Sequence, residues 1–272
     1  MATLATRRWG AAGPPSSAAR RPSPARAVLV HGVTAWSNTW WRIGPGLAKN
    51  GWDVVAVDLR GHGDSPRGGG SLDDLGGDLI ETVGPGPIDL LIGHSLGALS
   101  ILAALRARPQ LARRVVLEEP PGIASVDRPL LAALIEDDLR RAQDDRDGFI
   151  AGLLEQNPRW HTRDAIEAAE GVLRCDGAAV VRAVAGLELD WDLVALAGAL
   201  RVPSLVLLAS DVGVKLGSDA GGSALNGRDR TRFLAALDGA RAVVIDGGHC
   251  IYRSEPEAWL DEVAAFAKSA GR

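Results

Sequence analysis

Ile88-Asp89-Leu90-Leu91-Ile92-Gly93-His94-Ser95-Leu96-Gly97 reads in two halves. Ile88 to Ile92 is a short, nearly unbroken apolar run, as expected of a strand buried on both faces of a parallel sheet. Gly93-His94-Ser95-Leu96-Gly97 follows at once, and Ala98 to Arg108 has helix-forming composition. Strand, G-x-S-x-G and helix together are the context of a nucleophile elbow. The turn is too tight for side chains at both flanking positions, and Gly93 and Gly97 supply the clearance. Ser95 is left at the tip. The backbone N–H of Leu96 opens the helix without an intrahelical acceptor, so it can stabilise a developing oxyanion.

Outward from this stretch, strands and helices alternate. Thr3–Trp9 reads as an edge strand, with a second edge segment around Ser17–Arg20. Ala27–Val30 is a buried strand that runs into His31-Gly32-Val33. A short helix lies within Asn38–Asn50, and Asp53–Val57 is the next buried strand. Ser71, with Asp74 three residues on, caps a helix that runs to about Val83. Beyond the elbow, Val115–Leu117 is a strand ending at Glu118-Glu119-Pro120-Pro121. Then the rhythm changes. From about 121 to 200 the chain holds helical segments and no convincing strand: Leu130–Arg141, Asp147–Gln156, Thr162–Val172, Ala178–Leu187 and Leu193–Leu200. The strand–helix series resumes with Ser204–Ala209, a helix over Asp229–Leu237, the strand Ala242–Ile245, and a last helix from Glu255 to Lys268. This order predicts an α/β fold, a mostly parallel sheet covered by helices on both faces. Residues 1–120 and 201–272 form its core and 121–200 an inserted helical lid. Functional residues belong at the C-terminal ends of the strands, where Val33, Ser95, Glu119, Asp211 and His249 all fall.

The 272 residues are 46% apolar and 24% charged, with a net charge of −4, as in an ordinary globular protein. No basic patch stands out, which argues against nucleic acid and anionic membranes as partners. Cys175 and Cys250 match no metal or redox spacing, and the five histidines show no zinc-like clustering. Arg7-Arg8 is followed by an Ala/Gly/Pro/Ser-rich stretch and not by an apolar one, so neither a secretion signal nor a membrane span is expected. The expectation is a cytoplasmic protein with a small-molecule substrate, and a homodimer is compatible with the sequence.

A serine hydroxyl is a poor nucleophile near neutral pH and needs a base, itself oriented by an acid. Ser95, Asp211 and His249 occur in the chain order expected when an elbow serine precedes its partners. His249 lies in Gly247-Gly248-His249-Cys250, just past a strand. Asp211 ends the apolar run Leu205–Ala209, where a carboxylate can hold the imidazole tautomer. Glu119, at the end of the preceding strand, is the main rival acid, and Asp219 a weaker one.

With these pieces in place the chain resembles the α/β-hydrolase superfamily, in its small, lid-bearing, esterase- or lactonase-like branch. The resemblance rests on His31-Gly32, Asp58-Leu59-Arg60-Gly61-His62-Gly63-Asp64-Ser65, Gly93-His94-Ser95-Leu96-Gly97, the Asp211 strand end and Gly248-His249. It implies Ser95 as nucleophile, His249 as base and Asp211 as acid, with the N–H groups of Val33 and Leu96 as oxyanion hole. No metal and no cofactor are implied. One departure is visible: the family often carries its acid in a G-x-x-D turn, and here the segment reads Ala209-Ser210-Asp211-Val212.

Trp36, Trp40, Trp160, Ile251 and Tyr252, with Leu96 and Glu119, are the expected pocket residues, whereas Trp41 and Trp52 belong to the core. An apolar pocket with few polar anchors favours a small to medium, mostly uncharged carboxylic ester or lactone, cleaved through an acyl-enzyme. Serine at the elbow excludes relatives that need a carboxylate there, such as epoxide hydrolases and haloalkane dehalogenases. The alternatives are a carbon–carbon bond hydrolase of the same fold, or a receptor-like binding protein with a slow triad.

Overall fold

A computed structural model describes residues 1–10, 24–122, 127–187, 189–198, 200–210 and 223–269. Seven strands form one sheet in the order β1-β3-β2-β4-β5-β6-β7. They are β1 (Thr6–Trp9), β2 (Arg26–Val30), β3 (Asp53–Val57), β4 (Leu90–His94), β5 (Val115–Glu118), β6 (Ser204–Ala209) and β7 (Arg241–Ile245). All neighbours are parallel except β1, which runs antiparallel to β3 at one edge. The segment expected around Ser17–Arg20 lies outside the described residues.

Successive side chains of a strand point to opposite faces, and two cores result. Val28, Val30, Val55 and Val57 face the layer of α2 (Leu72–Val83), α3 (Leu96–Ala107), α8 (Leu193–Gly198) and α9 (Gly227–Ala236). Ala27, Leu29, Val54 and Ala56 face α1 (Ile43–Lys49), α10 (Ile251–Ser254) and α11 (Pro256–Ser269). Burial on both faces is why these strands read as continuous apolar runs. α2 begins at the expected cap: Ser71 Oγ accepts from Asp74 N–H while the Asp74 carboxylate accepts from Ser71 N–H. Such a cap contributes about 1 kcal/mol.

Between β5 and β6 lie only helices among the described residues: α4 (Arg128–Asp144), α5 (Arg146–Gln156), α6 (Thr162–Arg174), α7 (Gly177–Arg182) and α8. α4 to α7 carry small apolar cores of their own, one around Phe149, Ile150 and Ala169, another around Ile135 and Val180.

Two expected elements differ. The helix within Asn38–Asn50 is split into a 3₁₀ turn, Ser37–Trp40, and α1, because Pro45 has no N–H to donate and sits only in the first turn of α1. The segment Ala178–Leu187 breaks after α7 into a wider turn, Ala183–Leu187, where Gly186 adopts φ +101°. Ile251–Ser254, between the His249 loop and the last expected helix, forms the short helix α10. Among the described residues, no helix is long and apolar enough to cross a membrane.

Candidate active site

The site lies where β2, β4, β5 and β7 end. Among the described residues, only three non-glycine residues have positive φ: Thr34 (+56°), Ser95 (+52°) and Glu119 (+50°). They follow β2, β4 and β5. Such backbone costs roughly 1–3 kcal/mol at each position and persists only where surrounding structure enforces it.

At the elbow the glycines do what their positions require. A Cβ at Gly97 would lie 2.2 Å from the Val30 carbonyl oxygen, and one at Gly93 would lie 2.7 Å from the Ala98 nitrogen. Ser95 is 7% exposed, and its N–H donates to the Glu118 carbonyl at 2.9 Å. The loop after β2 presses against this turn, since a Cβ at Gly32 would come within 3.1 Å of Ser95 Cβ. Val33 and Leu96 therefore flank Ser95. Among the described residues, neither backbone N–H has a backbone acceptor outside the regular elements.

His249 follows β7 and is 28% exposed, and its Nδ1 lies 3.3 Å from Glu119 Oε2. With the Nδ1 proton directed at the carboxylate, Nε2 keeps its lone pair. Glu119 is fully buried. Its Oε1 accepts from Ala209 N–H at 2.7 Å and Ser223 Oγ–H at 2.8 Å, and its Oε2 from Ala224 N–H at 2.6 Å. Hydrogen bonds to the ionised form make a buried carboxylate tolerable. Glu119, expected among the pocket residues and as a rival acid, is thus the carboxylate that meets His249. Asp211 and Asp219 lie outside the described residues.

Glu118, one residue earlier, points to the opposite face. It accepts from Tyr252 N–H at 3.1 Å and Trp259 Nε1–H at 2.8 Å, which ties α10 and α11 to the sheet.

Three histidines brace the loops in neutral form. His31 Nδ1–H donates to the Gly32 carbonyl at 2.7 Å and Nε2 accepts from Leu59 N–H at 2.9 Å; burial lowers its pKa to about 4. His62 Nε2 accepts from Thr34 N–H at 3.3 Å and Nδ1–H donates to the Arg60 carbonyl at 3.0 Å. Burial, then the neighbouring His31, lowers it to about 3. His94 Nε2–H donates to the His249 carbonyl at 3.1 Å, and burial holds its pKa well below the usual imidazole range. The histidines of the loop motifs therefore act as braces, and His94 in addition links elbow to base. The G-H-S sequence alone carried no signal for that link, which spans 155 residues.

A cavity of about 20 Å³ adjoins Val33 and Leu96, walled by Leu75, Val180, Val184 and Leu189, with Arg60 and His62 at its margin. The aromatic residues expected there are elsewhere. Trp40, Ile251 and Tyr252 are buried in the core on the α1/α11 face, where Trp40 stacks on Tyr252 at 4.5 Å and Tyr252 shares a hydrogen bond with Thr39 Oγ1 at 2.7 Å. Trp36 is 6% exposed and lies under the Arg174 and Arg7 guanidinium groups. Trp160 packs within the helical block beneath Arg253. Their apolar character was legible, but which face each would cover was not. Trp52 packs against the core as expected, whereas half-buried Trp41 donates its Nε1–H to Asp164 at 2.9 Å.

The family model described as the alpha/beta hydrolase fold matches residues 28–168. Lipase LipV of Mycobacterium tuberculosis is 33% identical over 101 residues, 36% of this chain and 38% of that protein. The 2-(acetamidomethylene)succinate hydrolase of Mesorhizobium japonicum is 29% identical over 177 residues, 60% of this chain and 63% of that one. The matches thus span less than two thirds of either relative's length. The crystal structure of an E-2-(acetamidomethylene)succinate hydrolase superposes with a TM-score of 0.72 at 23% identity, covering 97% of this chain and 95% of that one. With a parallel sheet, a strained serine between strand and helix, and a family match over about half its length, this chain belongs to the α/β-hydrolase family.

Proposed function

We propose that this chain is a serine hydrolase of small, mostly apolar carboxylic esters or lactones. Ser95 is the nucleophile, His249 the base and Glu119 the acid that orients it, with the helical block over 121–200 as a cap. The observation that carries the reading is the conjunction of Ser95, held at φ +52° between β4 and α3, with an imidazole whose Nδ1 faces a buried carboxylate. His249 Nε2 takes the Ser95 proton as Oγ attacks the carbonyl carbon. Val33 and Leu96 N–H groups stabilise the oxyanion, each by about 3 kcal/mol. The imidazolium then protonates the leaving oxygen, and water, activated by the same nitrogen, releases the acid.

The cavity beside the oxyanion donors supports a short acyl group. Its walls of Leu75, Val180, Val184 and Leu189 suit a small apolar acyl tail. The M. japonicum relative is named as a hydrolase of 2-(acetamidomethylene)succinate. That name favours acyl–nitrogen cleavage as the second reading, through the same acyl-enzyme.

The test is a p-nitrophenyl ester series from acetate to octanoate, with N-acetyl and N-formyl amides alongside and fluorophosphonate labelling of Ser95. Steady turnover with acetate or propionate preferred supports the reading, and turnover of the amides alone transfers it to the second. Absence of both labelling and turnover overturns it, and a single slow turnover with a ligand-induced melting shift indicates a binding protein.

A further inference from the structure

One face of α6 is docked on the loop that carries Val33. Asp164, Glu167, Gly171 and Arg174 are spaced three, four and three residues apart, so they share a helix face. Each meets the segment after β2. The Asp164 carboxylate accepts from Trp41 Nε1–H at 2.9 Å and pairs with Arg42. Glu167 Oε1 accepts from Asn38 Nδ2–H at 2.5 Å, and the Arg174 guanidinium lies 4.5 Å over Trp36. Between them the helix backbone runs against the loop itself. A Cβ built at Gly171 would lie 2.5 Å from the Thr34 carbonyl oxygen and 3.0 Å from Ala35 Cα.

Thr34 is the residue that needs this support. It is β-branched and held at φ +56°, a conformation such residues rarely adopt. His62 grips its N–H from the other side, and Thr34 Oγ1–H donates to the Val33 carbonyl at 2.8 Å. Thr34 is thus held at both ends, its N–H by a histidine ring and its carbonyl against a glycine of the helical block.

We infer that Gly171 is a positioning residue for the oxyanion hole: its missing side chain lets α6 abut Thr34 and Ala35 and so sets the direction of the Val33 N–H. The inference rests on the serine-hydrolase reading.

Gly171→Ala forces the loop or the helix to move, since backbone atoms lie on the loop side of the contact. Loss of one oxyanion donor costs about 10²–10³ in kcat, so a displaced donor should cost about 10–100-fold with KM changed less than about threefold. The inhibition constant of an aryl trifluoromethyl ketone, whose hemiketal needs the same donors, should rise in parallel. Gly177→Ala is the control. Its Cβ would meet only the Leu139 side chain, 2.7 Å away in the same block, and kcat should be unchanged. Glu167→Ala removes the tie to Asn38 without adding a clash and should lower kcat in the same sense by a smaller factor.

Wild-type kcat and ketone affinity in folded Gly171→Ala would overturn the inference, as would equal losses in the two glycine variants. If Gly171→Ala does not fold, Glu167→Ala decides: reduced kcat supports the buttress, and wild-type kcat refutes it. A wild-type protein without Ser95-dependent turnover would instead remove the underlying reading.

Discussion

Glu119 Oε2 stands 3.3 Å from His249 Nδ1, and the same carboxylate accepts hydrogen bonds from both ends of the segment between Ala209 and Ser223. One buried group thus ties the end of β6 to Ser223 and Ala224 and faces the base. Gln at this position keeps one acceptor oxygen but loses the charge that stabilises an imidazolium. Glu119→Gln should lower kcat by about 10³–10⁴, and Asp211→Asn by less than about threefold. Steady-state kinetics of both variants, each checked for folding by thermal melting, decides between the carboxylates. The reverse ranking would return the acid to Asp211.

Ser95→Ala should leave the melting temperature within a few degrees of wild type and lower turnover by a factor of about 10⁶. The change removes only Oγ. Turnover near wild type in the purified variant would show that some other group attacks the substrate.

His94 joins the elbow to the base through the His249 carbonyl, with the two rings 4.7 Å apart. A misplacement of about 1 Å in a catalytic group costs up to about 10²-fold. His94→Phe should therefore lower kcat by about 10-fold or more with little change in KM. His94→Gln retains an N–H donor and should lose less. Equal kcat in both variants and wild type would exclude this route of positioning.

Stability should fall on the acid side of neutrality. His31 and His62 are held neutral, with pKa lowered from 6.5 to about 4 and about 3, chiefly by burial. Below pH 6.5 the unfolded chain binds protons that the folded rings refuse, so the stabilisation is complete above that pH and lost as pH drops toward 4 and then 3. For His31 alone the full loss is on the order of 3 kcal/mol. Urea titrations at pH 7.0 and 4.5 should show the decrease, and His62→Gln should flatten it. A midpoint independent of pH over that interval would contradict the bracing role.

The central strands were legible because a strand buried on both faces is written as a local apolar run. Asp53–Val57 and Ser204–Ala209 begin and end as expected. The elbow was legible for a related reason, since its glycines, its serine and the strand and helix on either side are contiguous in the chain, although the backbone that crowds Gly97 belongs to Val30. The cap of α2 is equally local.

The partner of His249 was not local. Asp211 and Glu119 both end apolar strands, and nothing in either neighbourhood says which carboxylate the β7 loop will reach. The contact that forms between His249 and Glu119 joins the ends of β7 and β5, 130 residues apart. The pocket walls were hidden for the same reason. Trp40 and Tyr252 are apolar at positions near the site in sequence, yet the 3₁₀ turn Ser37–Trp40 and α10 carry them into the core on the α1/α11 face. The sequence by itself determined the layered α/β fold and the serine turn, because apolar runs and the glycines beside Ser95 are written along the chain. The carboxylate that faces His249, the neutral histidine braces and the helix that steadies Thr34 were decided by tertiary structure alone, because each is a contact between segments dozens of residues or more apart, fixed only once the sheet and its covering helices have packed.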